Sequence, residues 1–262
     1  ITTHPFAVNL ATFYKNRFKN IPILSIVTDF KAHYSYINKS IDAYIVGSNI
    51  TKSNLFSNGI DLEKVYVYGI PVKDEYYIKP INTNKDNDYF NILLMGGSMG
   101  SRKISKVLKK LVLNENKLNI TVLCGNNKTL KNSLIKSFSK NYPNKKINIL
   151  GFSHEVFNLM DNSDLLISKP GGLTITEAIN KNLPVLVPFY IPGQEFDNIN
   201  VLNILNSIIY VKNINNLNNV INEYISNPSK FSNIKNNLSL LSSNYSKNKI
   251  INVTVTPVGS IE

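Results

Sequence analysis

The chain has 262 residues, 43% of them apolar, enough to bury a large core as one long domain or two small ones. No apolar run reaches the roughly 18 residues that a membrane-spanning helix needs, and a single cysteine, Cys124, excludes an internal disulfide and a cysteine-based zinc site. The net charge is +12, and residues 101–146 hold twelve of the lysines and arginines against one acid, Glu115.

That basic stretch has two leading readings, a solvated helical surface or a face that meets an anionic membrane surface. Nucleic acid is not expected as a partner, because no nucleic-acid module signature is present. The wealth of Asn, Lys and Ile also fits an AT-rich coding sequence, which would account for much of the basic bias. One cysteine and no leader pattern make a reducing, cytoplasmic setting the expectation.

In chain order, short apolar runs at 23–27, 43–46, 65–68, 92–95, 120–123, 147–150, 165–167, 185–187 and 208–211 predict nine strands. Most are continuously apolar, as strands of a parallel sheet covered on both faces are. Helical patterns lie between them; in 102–112, Ile104, Val107, Leu108 and Leu111 form one stripe among lysines. Strand–helix alternation of this kind predicts a doubly wound α/β architecture. Residues 1–78 have too few strands for a whole domain and read as the C-terminal part of one. Residues 79–89 continue a polar stretch from about 73 and read as a linker. Residues 90–245 make a nearly complete Rossmann-like domain, and 246–262 a tail with no assigned pattern.

Glycine loops follow several of these strands. Gly96-Gly97-Ser98-Met99-Gly100-Ser101 sits between a strand and a helix, where backbone N–H groups can face a phosphate. It is neither the dinucleotide fingerprint nor a P-loop. Cys124-Gly125-Asn126 and Gly151-Phe152-Ser153 end the next two strands, with His154 at the helix start that follows. Asp86-Asn87-Asp88 has the form of a metal-binding D-x-D, but it lies in the polar linker and reads as chance; no catalytic metal is expected.

The richest stretch is 168–200. A strand runs into Lys169-Pro170-Gly171-Gly172, and a helix starting at Leu173-Thr174 carries Glu177 about a turn in. The next strand leads to Pro192-Gly193-Gln194-Glu195 with Asn198 beyond. The glycines permit close backbone approach, the helix N-terminus suits an anion, and the carboxylates suit sugar hydroxyls. Together they fit a nucleotide-sugar diphosphate.

This run, from Lys169 through Thr174, Glu177 and Ala178 to Pro192-Gly193-Gln194-Glu195 and Asn198, resembles the donor signature of family 28 glycosyltransferases of the GT-B type. The similarity is greatest to the processive diacylglycerol glucosyltransferases and the monogalactosyldiacylglycerol synthases. It implies two Rossmann-like parallel-sheet domains, the N-terminal one incomplete here: an acceptor-binding domain followed by a donor-binding domain. It implies an inverting transfer of a hexose from UDP-glucose or UDP-galactose to diacylglycerol or a glycosyl-diacylglycerol, on the cytoplasmic face of the membrane, with no cofactor. Two alternatives stay open: a donor-binding subunit of a two-chain enzyme, and a UDP-N-acetylglucosamine transferase or epimerase of the same fold.

The resemblance also assigns residues. Gly97, Ser98 and Met99, with Lys169, Gly171, Gly172, Leu173 and Thr174, would surround the diphosphate. Gly125, Phe152 and Ser153 would flank the uracil, Glu177 would hold the ribose diol, and Gln194 and Glu195 the hexose, with Asn198 supporting that loop. In the first part, Thr28-Asp29-Phe30 with His33 is similar to the family's acceptor-side stretch, and His4, in Thr3-His4-Pro5, is expected in a turn near the same cleft. Asp29, His4 and His33 are candidates for proton transfer. The family's general base is implied to be a histidine on a glycine loop upstream of residue 1.

Overall fold

The structure is a computed structural model that describes residues 1–18, 21–80, 83–97 and 102–255. It contains two parallel sheets. The first has three short strands in sequence order, β1 (Leu24–Ile26), β2 (Ala43–Ile45) and β3 (Val65–Tyr66). Helices α1 (Pro5–Arg17) and α2 (Asn49–Ser57) accompany it, and Thr2 makes an isolated parallel bridge to Ser25. The second sheet contains β4 (Phe90–Met95), β5 (Leu118–Leu123), β6 (Lys145–Leu150), β7 (Leu165–Ile167), β8 (Val185–Val187) and β9 (Ile209–Tyr210). Its order is β6-β5-β4-β7-β8-β9, all parallel. That is the doubly wound order, with its switch point between β4 and β7, where ligands bind beyond the carboxyl ends of the strands. All nine predicted strands are present; only their ends move.

Helices cover both faces of the second sheet. Helix α3 (Lys103–Leu111) buries the predicted stripe, Ile104, Val107, Leu108 and Leu111. It is followed by α4 (Lys128–Ser137), α5 (Val156–Asp161), α6 (Gly172–Asn180), α7 (Gln194–Ile204), α8 (Leu217–Ser226) and α9 (Ser232–Asn244). The abundant asparagines have a structural use in this half. Asn182 and Asn206 adopt positive φ, 50° and 47°, just past the ends of α6 and α7. At each end the N–H of the following residue reaches back to the sixth carbonyl, Leu183 to Ala178 and Ser207 to Leu202. These are Schellman closures, with asparagine in the left-handed position usually given to glycine.

The twelve basic residues of 101–146 do not share one face. Lys103 lines the cleft between the sheets, whereas Lys117 and Lys146 meet the Tyr89 ring at the amino-terminal edge of the second sheet. There Lys146 also pairs with Asp86, at 2.5 Å, so the D-x-D sequence sits at the end of the sheet away from the glycine loops.

Two segments play parts that their sequence hides. The segment before the polar linker folds into a short 3-10 turn, Asp74–Tyr76, whose Tyr76 is buried in the core of the second half. The tail forms α10 (Lys247–Val255), and its Ile250 and Val253 pack on Leu24, Ile26, Ala43 and Ile45 of the first sheet. The chain thus returns to the half where it began. At the crossing, the buried Tyr245 hydroxyl donates to the Gly47 carbonyl at 2.7 Å. Gly69, at φ 85°, leaves room for that ring: a Cβ there would lie 2.4 Å from Tyr245 Cγ. Tyr245→Phe leaves the Gly47 carbonyl buried and unpaired, and should lower unfolding free energy by about 1–3 kcal/mol in urea titration with the fold retained.

Candidate functional site

The cleft between the sheets holds two connected cavities. The larger, about 560 Å³, is bounded by Thr28 and Asp29 from the first half and by Gly96, Gly97, Lys169, Gly171, Leu173 and Glu195 from the second. The smaller, about 250 Å³, runs over the carboxyl ends of β4 and β5 and is lined by Gly97, Gly125, Phe152, Ser153, Thr174 and Glu177, with Tyr76. Gly97, Leu173 and Thr174 border both.

The start of α6 explains the join. Its first N–H groups have no intrahelical acceptor by geometry, and no side chain caps them. They open on the two cavities at a point where the helix dipole favours an anion. The two glycines there divide their tasks. A Cβ on Gly171 would meet nothing within 4 Å, so that backbone faces open space. A Cβ on Gly172 would lie 1.9 Å from the Thr28 carbonyl oxygen. The close approach that Gly172 permits is therefore to the other half of the chain.

Across the cleft, Lys169 pairs with Glu195 at 2.5 Å, and its stem passes over Gly97, where a Cβ would come within 3.1 Å. The second Glu195 oxygen accepts the Ile191 N–H, which fixes the loop before α7. In the smaller cavity, Glu177 shares the wall with Tyr76, and burial pushes its carboxyl up to about 7. Ionised above that pH, it can accept from a vicinal diol; protonated below it, it loses most of that capacity. Phe152 is half exposed beside it, with His154 packed edge-on against the ring at 4.8 Å. Ser98 and Met99 lie outside the described residues.

The remaining sequence candidates lock the two halves together. Asn198 is fully buried. Its Nδ2 donates to Asp29 Oδ1 at 2.9 Å and to the Pro170 carbonyl at 3.1 Å. Its Oδ1 accepts the Phe30 and Lys31 N–H groups at 2.9 and 3.3 Å. Gln194 Nε2 donates to the other Asp29 oxygen at 2.7 Å, and Lys31 pairs with Asp197 at 3.0 Å. Gln194 is thus turned toward Asp29, although the sequence assigned it to the hexose. Burial raises the Asp29 pKa, opposed by the Asn198 hydrogen bond. With both oxygens accepting, Asp29 stands here as an anchor.

The histidines have similar local tasks. His4 caps α1 by accepting the Phe6 N–H at Nδ1, and His33 accepts the Ser35 N–H in the same way. A neutral imidazole that accepts at Nδ1 carries its proton on Nε2, so neither ring offers a free basic nitrogen in this tautomer. What sequence reasoning missed is Tyr76, together with Lys103 and Tyr190 on the rim of the larger cavity. Tyr76 had one available signal: it opens the run Tyr76-Tyr77-Ile78 within a mostly polar stretch.

Comparison with known proteins agrees with this geometry. Residues 91–247 match the family described as glycosyltransferase family 28 C-terminal domain, and residues 1–72 match monogalactosyldiacylglycerol (MGDG) synthase. The chain is 33% identical over 187 residues to a processive diacylglycerol beta-glucosyltransferase of Staphylococcus aureus, covering 68% of this chain and 47% of that protein. It is 32% identical over 203 residues to the uncharacterized glycosyltransferase YkoN of Bacillus subtilis, covering 76% and 53%. The chain therefore spans about half the length of these curated relatives. Among solved structures, MurG of Acinetobacter baumannii has a TM-score of 0.61 at 16% identity, covering 95% of this chain and 67% of that one. The UDP-GlcNAc 2-epimerase of Neisseria meningitidis, bound to UDP-GlcNAc, has a TM-score of 0.65 at 19% identity, covering 95% and 72%. These two likenesses speak for the fold alone, which is GT-B with the first domain incomplete.

The buried amide of Asn198 generates a direct test. Asn198→Ala strands two acceptors and two N–H groups at the contact between the halves, and should lower unfolding free energy by at least about 2 kcal/mol in denaturant titration.

Proposed function

The chain belongs to glycosyltransferase family 28, and on that premise we propose that its cleft binds a UDP-hexose and serves an inverting transfer to a lipid hydroxyl. The observation that carries the reading is the pairing of two features across one helix. The uncapped N-terminus of α6 opens on the cavities beside Gly171, and Glu177 stands one turn further in the same helix. The first suits a diphosphate and the second a ribose diol.

In this reading the uracil occupies the smaller cavity beside Phe152 and Ser153, near Gly125. The diphosphate lies at the N–H groups of Gly172, Leu173 and Thr174, and the hexose extends into the larger cavity toward Lys169 and Glu195. The acceptor hydroxyl attacks the anomeric carbon as its proton passes to a base, and the bond from that carbon to the UDP oxygen breaks. The helix N–H groups take up the charge that develops on the departing diphosphate. Asp29 and the two capping histidines are engaged in other bonds, which favours the upstream histidine of the family pattern as the base. UDP-glucose or UDP-galactose is the proposed donor, and diacylglycerol or a glycosyl-diacylglycerol the proposed acceptor, supported by the similarity to the Staphylococcus aureus protein. No metal or cofactor is part of the proposal.

A lipid acceptor calls for a membrane-facing surface, and we place the protein on the inner face of the membrane. Among the described residues, no helix is long and apolar enough to cross a membrane. Helix α1 carries Phe6, Leu10, Phe13 and Tyr14 on one side, each at least half exposed, and Thr3, just before its N-cap, accepts a hydrogen bond from the Thr28 hydroxyl at the cleft's edge. These exposed apolar residues support a peripheral contact with the membrane.

Calorimetric titration with UDP, UDP-glucose, UDP-galactose and UDP-N-acetylglucosamine, without metal, checks the donor reading. Micromolar binding of UDP with a preference for one hexose is the expected outcome, and a folded chain that binds none of them overturns it. Glu177→Ala should weaken UDP by roughly 1.5–3 kcal/mol, the worth of hydrogen bonds to a charged group. For the membrane contact, replacing Leu10 and Phe13 by Glu should reduce co-sedimentation with phosphatidylglycerol vesicles and leave UDP affinity unchanged; undiminished binding would remove α1 from the interface.

A further inference from the structure

The larger cavity contains an ion pair whose acid has little room left for a ligand. The Lys169 carbonyl accepts the Gly171 N–H at 3.0 Å, which fixes its backbone in the turn that opens α6. Its ammonium meets Glu195 Oε1 at 2.5 Å. A Cβ built on Gly97 would lie 3.1 Å from Lys169 Cε and 4.0 Å from Nζ, so the ammonium sits over the Gly97 backbone, where the two cavities join. The cation therefore stands beside both the glycine loop after β4 and the turn into α6.

Glu195 is placed for the lysine. One of its oxygens accepts from the ammonium and the other from the Ile191 N–H at 2.7 Å. Its side chain is 13% exposed, against 28% for Lys169. The other acid on the wall of this cavity, Asp29, is taken by Gln194 and Asn198. The other lysine on the wall, Lys103, donates to the Tyr190 carbonyl at the rim.

We propose that Lys169 is the cation that meets the donor's diphosphate, and that Glu195 is its positioning residue, a charge partner that tempers this contact rather than a ligand of the hexose. This rests on the donor reading above and assigns the retention and release of UDP to one ion pair.

The physical argument is one of charge. The pair is neutral while the cavity is empty, so a lysine can lie partly buried there without an unpaired charge. The α6 N-terminus offers about half an elementary charge, less than a diphosphate brings. An ammonium within reach supplies a full one and forms short, strong bonds to phosphate oxygens. Unmasked, it would hold the product UDP as firmly as the donor, since both carry the same diphosphate, and slow product release limits turnover. A carboxylate that competes for the ammonium weakens this hold and reclaims the cation as UDP departs.

The test uses calorimetry with UDP and the preferred UDP-hexose, and displacement of UDP by uridine. The affinity ratio of UDP to uridine isolates the diphosphate, and that of UDP-hexose to UDP isolates the sugar. Uridine affinity in the same samples shows that the smaller cavity is intact. Lys169→Met should lower the first ratio about 10- to 100-fold, the worth of a hydrogen bond to a charged group, and Lys169→Arg should restore most of it. Glu195→Gln keeps the shape of the side chain and removes its charge. It should raise the first ratio about 3- to 10-fold and leave the second unchanged. With Lys169→Met and Glu195→Gln combined, the first ratio should stay below that of the unaltered protein. A return to the unaltered value shows a neutral bridge that never meets the phosphates, and overturns the proposal. A first ratio that fails to fall in Lys169→Met, or to rise in Glu195→Gln, overturns it too, while UDP binding by the unaltered protein keeps the donor reading. A fall of the second ratio in Glu195→Gln gives the carboxylate back to the hexose and removes its positioning role. A folded, unaltered protein that binds none of these ligands removes the donor reading and the proposal together.

Discussion

The arrangement of the two halves depends on one buried amide. Asn198 uses its whole hydrogen-bonding capacity, two donors and two accepted bonds, on groups from both sides of the cleft. An amide can do this and a carboxylate or hydroxyl cannot, because only the amide offers two donors and a two-fold acceptor from one plane. The contact brings the Thr28–Lys31 loop against α7 and the Pro170 turn. Gly172 completes it, since any side chain there would collide with the Thr28 carbonyl. The result is a cleft of defined width with the α6 N-terminus facing into it.

This contact changes how the motif at 169–198 should be understood. Its residues read as one ligand-binding set, but they divide into two groups. Gly171, Leu173, Thr174, Glu177, Lys169 and Glu195 face the cavities. Gln194 and Asn198 face the other half of the chain, and Gly172 meets both that half and the larger cavity. A motif that shapes a cleft must hold its walls together as well as meet its ligand, and residue spacing alone does not separate these tasks. The Asp29 carboxylate illustrates the consequence. In sequence it is an acid at a strand end, a natural proton acceptor; in the fold it is the group that Gln194 and Asn198 were placed to bind.

The fold was largely legible, for a physical reason. Parallel strands covered on both faces are continuous apolar runs, and each of the nine could be read without knowing its partners. The α3 stripe was equally plain. The less legible parts are those whose identity depends on what they pack against. Ile250 and Val253 form a weak local pattern and acquire meaning only on the first sheet, where Leu24, Ile26, Ala43 and Ile45 leave a surface to cover. Asn182 and Asn206 look like compositional bias until the helix ends require a left-handed residue. The lysines of 101–146 are one run in sequence, whereas the fold sends Lys103 to the cleft and Lys117 and Lys146 to the opposite end of the sheet.

Tyr76 shows the same limit at the level of the site. A polar stretch between two domains reads as a spacer because its composition resembles one, and most of its length runs along the surface. One aromatic residue suffices to change its role, since the buried Tyr76 ring packs on Phe157 in the second half's core and lines the smaller cavity together with Glu177. That packing ties the segment between the halves to the wall of the cavity. The geometry of the donor cavity is thereby tied to the path of the chain between the two sheets, just as the width of the cleft is tied to Asn198.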